Sequence, residues 1–324
     1  METKTLKISP KKEIFSLCIA IILVFFLLRP SFGQPHPKLK VMASLFPLQE
    51  FASAVGGDRV QATLLLPPGA EAHTWEPRPS DVAKIAQADI FIYIGPSMEP
   101  WVDKVLQAAK GKRLLVVEVS RGIPLLKAEQ GEEGRIRSGR GRSFPEKIDP
   151  HIWLDFSLDL RILDALANSF SEKDPAQASL YKNNAGIYGA KLKDLDKKYR
   201  ESLANCRFRQ ILLSGHAAFA YLAKRYDLQQ IPLSGISPDA EPTPKKMAEV
   251  IEATRKSGIH FIYAEELVNP KLTQALAKEA GVGILTLNPG HNLTPEQVRQ
   301  KMTFLGLMEK NLQNLKQGLE CGKQ

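Results

Sequence analysis

The sequence is poor in sulfur and in imidazole, with 3 cysteines and 6 histidines among 324 residues. Cys18 falls in an N-terminal apolar segment, which leaves Cys206 and Cys321, far apart and without CxxC spacing. That pattern argues against a thiolate metal site, so any metal would be held by nitrogen and oxygen. In an oxidising compartment the two thiols can pair, and the spacing leaves that open. No HExxH sequence occurs, which removes the commonest signature of a zinc protease. Internal repeats and a low-complexity stalk are also missing. No aromatic-rich platform or helix-turn-helix pattern accompanies the basic residues, so the formal charge of +9 is not read as a nucleic-acid footprint.

Much of that charge sits in two places. Lys4, Lys7, Lys11, Lys12 and Arg29 flank the apolar run IFSLCIAIILVFFLL, Ile14 to Leu28, which ends before Ser31-Phe32-Gly33. A basic region, a 15-residue apolar run and a small-x-small site describe a signal peptide over residues 1–33. The run is short of the roughly 20 residues a membrane span needs, and an uncleaved anchor is the alternative. Both readings place the rest of the chain outside the cytoplasm, in the periplasm or its equivalent. Lipid attachment is not expected, because Cys18 follows Leu17 and precedes most of the run. The second cluster, Arg135, Arg137, Arg140 and Arg142, lies in a Gly-rich loop at about 128–147. It has no hydrophobic periodicity and reads as a solvated loop.

With 44% hydrophobic residues the remaining chain can fill two packed lobes. Short β-rich runs alternate with helical stretches: KVMASLF, QATLLLP, ADIFIYIG and RLLVVEV, then RQILLSG, IHFIYAEE and VGILTLNP. This alternation predicts an α/β fold, two lobes with parallel-type sheets flanked by helices. Asp174-Pro175 reads as a helix cap followed by proline at the first helical position. Beyond it Tyr181, Ala185, Tyr188, Leu192, Leu195, Tyr199 and Leu203 recur at spacings of four and three, one apolar face of a helix about 42 Å long. Gly186 and Gly189 each weaken it by about 1 kcal/mol, so packing must support it. The expected organisation is an N-terminal lobe at 34–173, a rigid linking helix at 174–204 and a C-terminal lobe at 205–324, with a metal site in the cleft between lobes.

The histidines point to that cleft. His73 follows QATLLLP, His216 follows RQILLSG and His291 follows VGILTLNPG. All three occupy the C-terminal ends of strands, where ligands bind in open α/β sheets. His151 lies in the turn IDPHIWLDF. A lone loop histidine is usually a surface residue, the reading given to His36 and His260. Four from both lobes are harder to treat so, since four neutral imidazoles fill a tetrahedral zinc site. Glu71, Glu76, Asp149 and Asp155 are near enough in sequence to orient the rings. Trp75 and Trp153 can shield them or simply pack. Thr294, Pro295 and Gln297 read as a capping box directly after His291.

GAEAHTWEPRPSDV, DPHIWLD, SGHAAFAYLAKRYDL and LTPEQVRQKMTFLGLMEKNLQNL resemble the zinc-binding substrate receptors of metal-uptake ABC transporters. The resemblance covers nearly the whole chain after residue 34. It implies two α/β lobes joined by a rigid helix, Zn2+ as the transported ligand, and an ABC permease in the membrane as partner, with no nucleic acid and a monomeric receptor. His73, His151 and His216 match the family's three histidine ligands. Manganese and iron receptors of the same fold typically carry a carboxylate at the third position, so His216 implies zinc. Two departures stand out. Where many zinc receptors have a His-rich acidic loop before DPH, this chain has its Arg/Gly loop without histidine. Where some members place a carboxylate, in a pattern similar to LNPLEGLT, this chain reads LNPGHNLT and offers His291 as the fourth ligand.

Capture and delivery of zinc, not catalysis, is therefore the expected role. A manganese or iron receptor of the same fold is the near alternative. An exported zinc-dependent hydrolase, with Glu265 or Glu266 as base, and a metal-binding adhesin are the alternatives from other classes.

Overall fold

The computed structural model describes residues 38–109, 113–128, 148–235, 243–266 and 270–322. Residues 1–33, read above as a signal peptide and containing Cys18, lie outside the described residues, as do His36 and the basic loop beyond residue 128. Among the described residues no helix is long and apolar enough to cross a membrane.

The first half carries strands β1 (Leu39–Ala43), β2 (Val60–Leu64), β3 (Ile90–Tyr93) and β4 (Leu115–Glu118), with helices α1 (Phe46–Gly56), α2 (Pro79–Ala86) and α3 (Val102–Ala108) between them. All pairings are parallel, in the order β2-β1-β3-β4. Two further helices follow, α4 (Phe156–Lys173) and α5 (Ala178–Leu203). The second half repeats the plan. Strands β5 (Gln210–Leu213), β6 (Gln229–Pro232), β7 (Phe261–Ala264) and β8 (Gly283–Thr286) form a second parallel sheet in the order β6-β5-β7-β8. Its helices are α6 (Ala220–Arg225), α7 (Pro244–Ser257), α8 (Pro270–Ala280), α9 (Pro295–Arg299) and α10 (Phe304–Gly318). The expected α/β architecture of two parallel sheets with flanking helices is the observed one. The reading of the second half overlooked β6, whose sequence QQIP has neither alternation nor a β-branched run and ends in proline. Such a strand is tolerated because it sits at the sheet edge, bonded only to β5.

The long helix buries the face its periodicity predicts, Tyr181, Ala185, Tyr188, Leu192, Leu195, Tyr199 and Leu203. These side chains join one core cluster with Phe51, Phe156, Phe170 and Phe219, drawn from both halves. At about 1.5–3 kcal/mol per buried large apolar side chain, this packing outweighs the two helical glycines. Its start differs from the expected cap. Pro175–Gln177 is a 3-10 turn, and Asp174 gives no cap hydrogen bond. Its carboxylate instead accepts from Arg59 at 3.0 Å and from Tyr181 Oη at 2.9 Å. Cys206 and Cys321, 115 residues apart, form a disulfide. It ties the chain leaving α5 to the end of α10.

Candidate metal centre

His151 is set by its own turn. Asp149 Oδ1 accepts from the His151 backbone N–H at 2.9 Å and lies 2.8 Å from Nδ1. One carboxylate oxygen thus fixes both the backbone and the ring. A 3-10 turn follows at Ile152–Leu154. Asp155 then caps α4 by accepting from Ser157 N–H at 2.9 Å.

His216 leaves the end of β5 through Ser214-Gly215. Glu265, at the end of neighbouring β7, accepts from the His216 N–H at 2.8 Å and has its two oxygens 2.9 and 2.8 Å from Nδ1. The carboxylate passes over Gly215, where a Cβ would lie 1.9 Å from Oε1. Glycine is required at this position. The sequence offered Glu265 only as a base candidate, because its partner lies 49 residues away. Glu266 is also engaged, accepting from the side chains of Asn288 and Gln297.

His73 sits half-buried in the loop between β2 and α2, its N–H donating to Glu71 Oε1 at 3.1 Å. His291 lies in the turn Asn288-Pro289-Gly290. Asn288 Oδ1 accepts from Gly290 N–H at 2.7 Å, and Gly290 adopts a left-handed φ of 78°. Trp153 Nε1 donates to Pro289 O at 2.7 Å, so this tryptophan joins the His151 turn to the His291 turn. Trp75 is half-buried and packs edge-on against Trp101, away from any such role. The capping box over Thr294 and Gln297 forms as read. The Asn292 side chain is buried and donates to Pro67 O and Ala70 O, both at 2.8 Å. Asn292-Leu293-Thr294 matches the pattern of an N-glycosylation acceptor, but a side chain so buried and bonded leaves no room for a glycan.

The four rings converge. His73 Nε2 and His216 Nε2 each lie 3.2 Å from His151 Nε2. Among the described residues, His73, His151 and His216 form a group whose ligand atoms all lie within 4.8 Å of one another. Their ring centroids are 5.1, 5.2 and 5.2 Å apart. Tetrahedral zinc with Zn–N of about 2.0–2.1 Å requires nitrogens about 3.3 Å apart and centroids about 5 Å apart, so these three rings already stand at zinc spacing. His291 is one step back, its centroid 6.2 Å from those of His73 and His216. Both of its ring nitrogens are buried without a hydrogen-bond partner among the described residues. Its closest charged neighbour is Glu71 Oε2 at 3.7 Å, beyond hydrogen-bond reach. His260 stands apart, pairing with Glu320 at 2.7 Å near the disulfide, and Glu76 is exposed.

Electrostatics divides the rings. Burial pushes His73 down to about 2, helped by the neighbouring rings, and burial with the charge on His216 drives His151 well below its ordinary value. His216 moves the other way: burial opposes its charge, but Glu265 outweighs burial and holds the ring above its ordinary value. Burial lifts Asp149 to about 7. For Glu71 burial is again the largest effect, yet His291 and the His73 N–H together overcome it and hold the carboxyl down at about 2. An ionised carboxylate only accepts, so Asp149 and Glu265 in that state fix the protons of His151 and His216 on Nδ1. In the neutral rings the two Nε2 lone pairs then face each other across 3.2 Å. That arrangement calls for a cation between them. A proton on His216 can serve, and so can a metal ion.

A family profile described as ZnuA, zinc-uptake complex component A, periplasmic, matches residues 41–318. The zinc-binding lipoprotein AdcA of Streptococcus pneumoniae is 35% identical over 306 residues, 94% of this chain and 61% of the relative. This chain therefore spans less than two thirds of the length of the AdcA proteins it matches. The high-affinity zinc uptake system protein ZnuA of Bacillus subtilis is 32% identical over 282 residues, 87% of this chain and 88% of the relative. Among solved structures, the Zn(II)-bound ZnuA-like domain of S. pneumoniae AdcA is 36% identical with a TM-score of 0.74, covering 87% of this chain and 99% of that one. The laminin-binding protein Lmb of Streptococcus agalactiae, described as bifunctional with adhesin and metal-transporting activity, is 28% identical with a TM-score of 0.76 over 87% of this chain and 99% of that one. With a profile match across most of its length and these relatives, this chain belongs to the ZnuA family of periplasmic zinc-uptake components.

Proposed function

We propose that the protein is an extracytoplasmic receptor that captures Zn2+ with His73, His151, His216 and His291 and delivers it to an ABC permease. In this reading residues 1–33 direct export, and the lobes 34–173 and 205–324, joined through 174–204, act as a monomer with zinc as cargo between them. The observation that carries it is the pair of opposed Nε2 atoms of His151 and His216, 3.2 Å apart, each with its tautomer fixed from behind by a buried carboxylate. His73 supplies a third nitrogen at matching distance. His291, its ring nitrogens unpartnered, completes the set by moving inward about 1 Å, the excess over the roughly 5 Å centroid spacing of tetrahedral zinc.

Four nitrogens leave no position for a reactive water, which suits cargo binding over hydrolysis. Glu265 and Glu266, the base candidates of a hydrolase, are both committed to hydrogen bonds. All-nitrogen ligation favours zinc over manganese, which prefers oxygen, and leaves copper(II) as the strong competitor. The test is elemental analysis of the purified protein with parallel zinc and manganese titrations. One zinc per chain, bound far more tightly than manganese, is expected. Equal affinity for the two metals would overturn the assignment.

A further inference from the structure

The turn that carries His151 is fastened on both sides to the short helix that follows His216. Helix α6 begins four residues beyond His216. Near its start Tyr221 Oη donates to the backbone carbonyl of Asp149 at 3.2 Å and accepts from Leu126 N–H at 2.9 Å. At its end Arg225 Nη1 lies 2.8 Å from Asp155 Oδ1 and donates to Ser157 Oγ at 2.7 Å. The rest of the guanidinium forks onto Asp196 of α5, at 2.7 and 2.8 Å, where Tyr226 Oη also donates at 2.9 Å. Asp149 and Asp155 bracket His151 in sequence, and Asp149 is the residue whose carboxylate fixes its ring. The Arg225 side chain is only 13% exposed and its two carboxylate partners 18% each, so solvent and salt screen these bonds little. A bidentate fork of this kind fixes orientation as well as distance.

We infer that Tyr221 and Arg225 are positioning residues for the metal: through Asp149 and Asp155 they set the separation of the His151 and His216 Nε2 atoms. Neither side chain makes a hydrogen bond to a histidine ring among the described residues, and the ties to Leu126, Asp149, Asp155 and Ser157 run from the second half of the chain to the first. The helix after one ligand therefore braces the turn that bears the other, and the pair keeps its spacing whether or not the remaining rings are engaged. This inference rests on the zinc-capture reading.

The test is zinc dissociation into excess chelator, with the visible absorption of the Co(II)-loaded protein as a report of coordination geometry. Tyr221→Phe, which removes one hydroxyl, is expected to speed dissociation about threefold to tenfold. Arg225→Lys puts a point charge in place of the fork and is expected to speed it about tenfold or more. Both variants should alter the cobalt spectrum. Tyr188→Phe, on α5 like Asp196, loses a hydroxyl bonded to Glu50 of α1 at 2.7 Å, and should leave rate and spectrum unchanged. Unchanged rates and spectra in Tyr221→Phe and Arg225→Lys would overturn the inference, as would equal acceleration in Tyr188→Phe. Should Arg225→Lys not fold, Tyr221→Phe decides alone. A wild-type protein that takes up neither zinc nor cobalt overturns the capture reading itself, a separate outcome.

Discussion

The two halves of the candidate metal centre are held by different means. His151 and His216 have carboxylates behind their rings, fixed tautomers and a common brace through α6. His73 and His291 are loop residues whose rings have no carboxylate within hydrogen-bond reach among the described residues. They are joined to each other through the backbone, because Asn292 donates to Pro67 O and Ala70 O while Gly69 N–H donates to Leu293 O at 2.8 Å. Each pair contains one proposed ligand from each half of the chain. One pair is built for geometry. The other holds two loops to one another by hydrogen bonds, which under the proposed capture and delivery of zinc would let His73 and His291 shift together.

The largest effect should come from breaking the braced pair. His216→Ala is expected to weaken zinc binding by more than about 100-fold, measured by competition titration, since losing a partner behind a ligand already costs about 10–100-fold. Glu265→Gln should fall in that 10–100-fold range. It retains much of the side-chain shape but adds a donor, so the His216 tautomer is no longer dictated.

Proton competition should distinguish the rings next. The depressed His73 and His151 take up no proton near neutrality, whereas the raised His216 does. Affinity should therefore fall about tenfold per pH unit below the His216 value, the slope for one displaced proton. A slope approaching three or four protons would mean the rings titrate like free imidazoles. The sign for metal-free stability is mixed. His216 contributes stability below about pH 6.5 that is lost as pH rises through its raised value. The neutral His73 and His151 contribute stability above about pH 6.5 that is lost on acidification. Asp149, lifted to about 7, acts in the same sense as His216, and Glu71, held at about 2, acts with His73 and His151, so three groups against two predict a metal-free protein that loses stability in acid, read by thermal melts across pH.

The loop pair should be more tolerant. His291→Ala is expected to cost at least about tenfold in zinc affinity, or about 1.4 kcal/mol, with the other three nitrogens still in place. Asn292→Ala removes two hydrogen bonds between the loops and should accelerate zinc release by about twofold to fivefold, seen by stopped-flow with chelator. A loss as large as that of His216→Ala would erase the distinction between the pairs.

What could be read from the residues follows the range of the interactions. The apolar face of α5, the Thr294 capping box and the post-strand positions of His73, His216 and His291 depend on spacing within one element or one turn. Asp149 was a candidate orienter because it precedes His151 by two residues, yet nothing local separated it from Glu76, which is exposed, or from Asp155, which caps α4 and binds Arg225. The Glu265 partnership was out of reach because it forms only when β5 and β7 become neighbours. The same holds for the α6 brace and for the disulfide spanning 115 residues. Asp174 shows the converse, a local cap signature overridden when Arg59 and Tyr181 compete for the same carboxylate.

The most direct test is a crystal structure of the zinc-loaded protein. Zinc bound by four imidazole nitrogens at about 2.0–2.1 Å is expected, with the His151–His216 pair unmoved and His291 drawn inward with its loop. A water molecule or Glu71 in the fourth position, with the His291 centroid still 6.2 Å from those of His73 and His216, would contradict it.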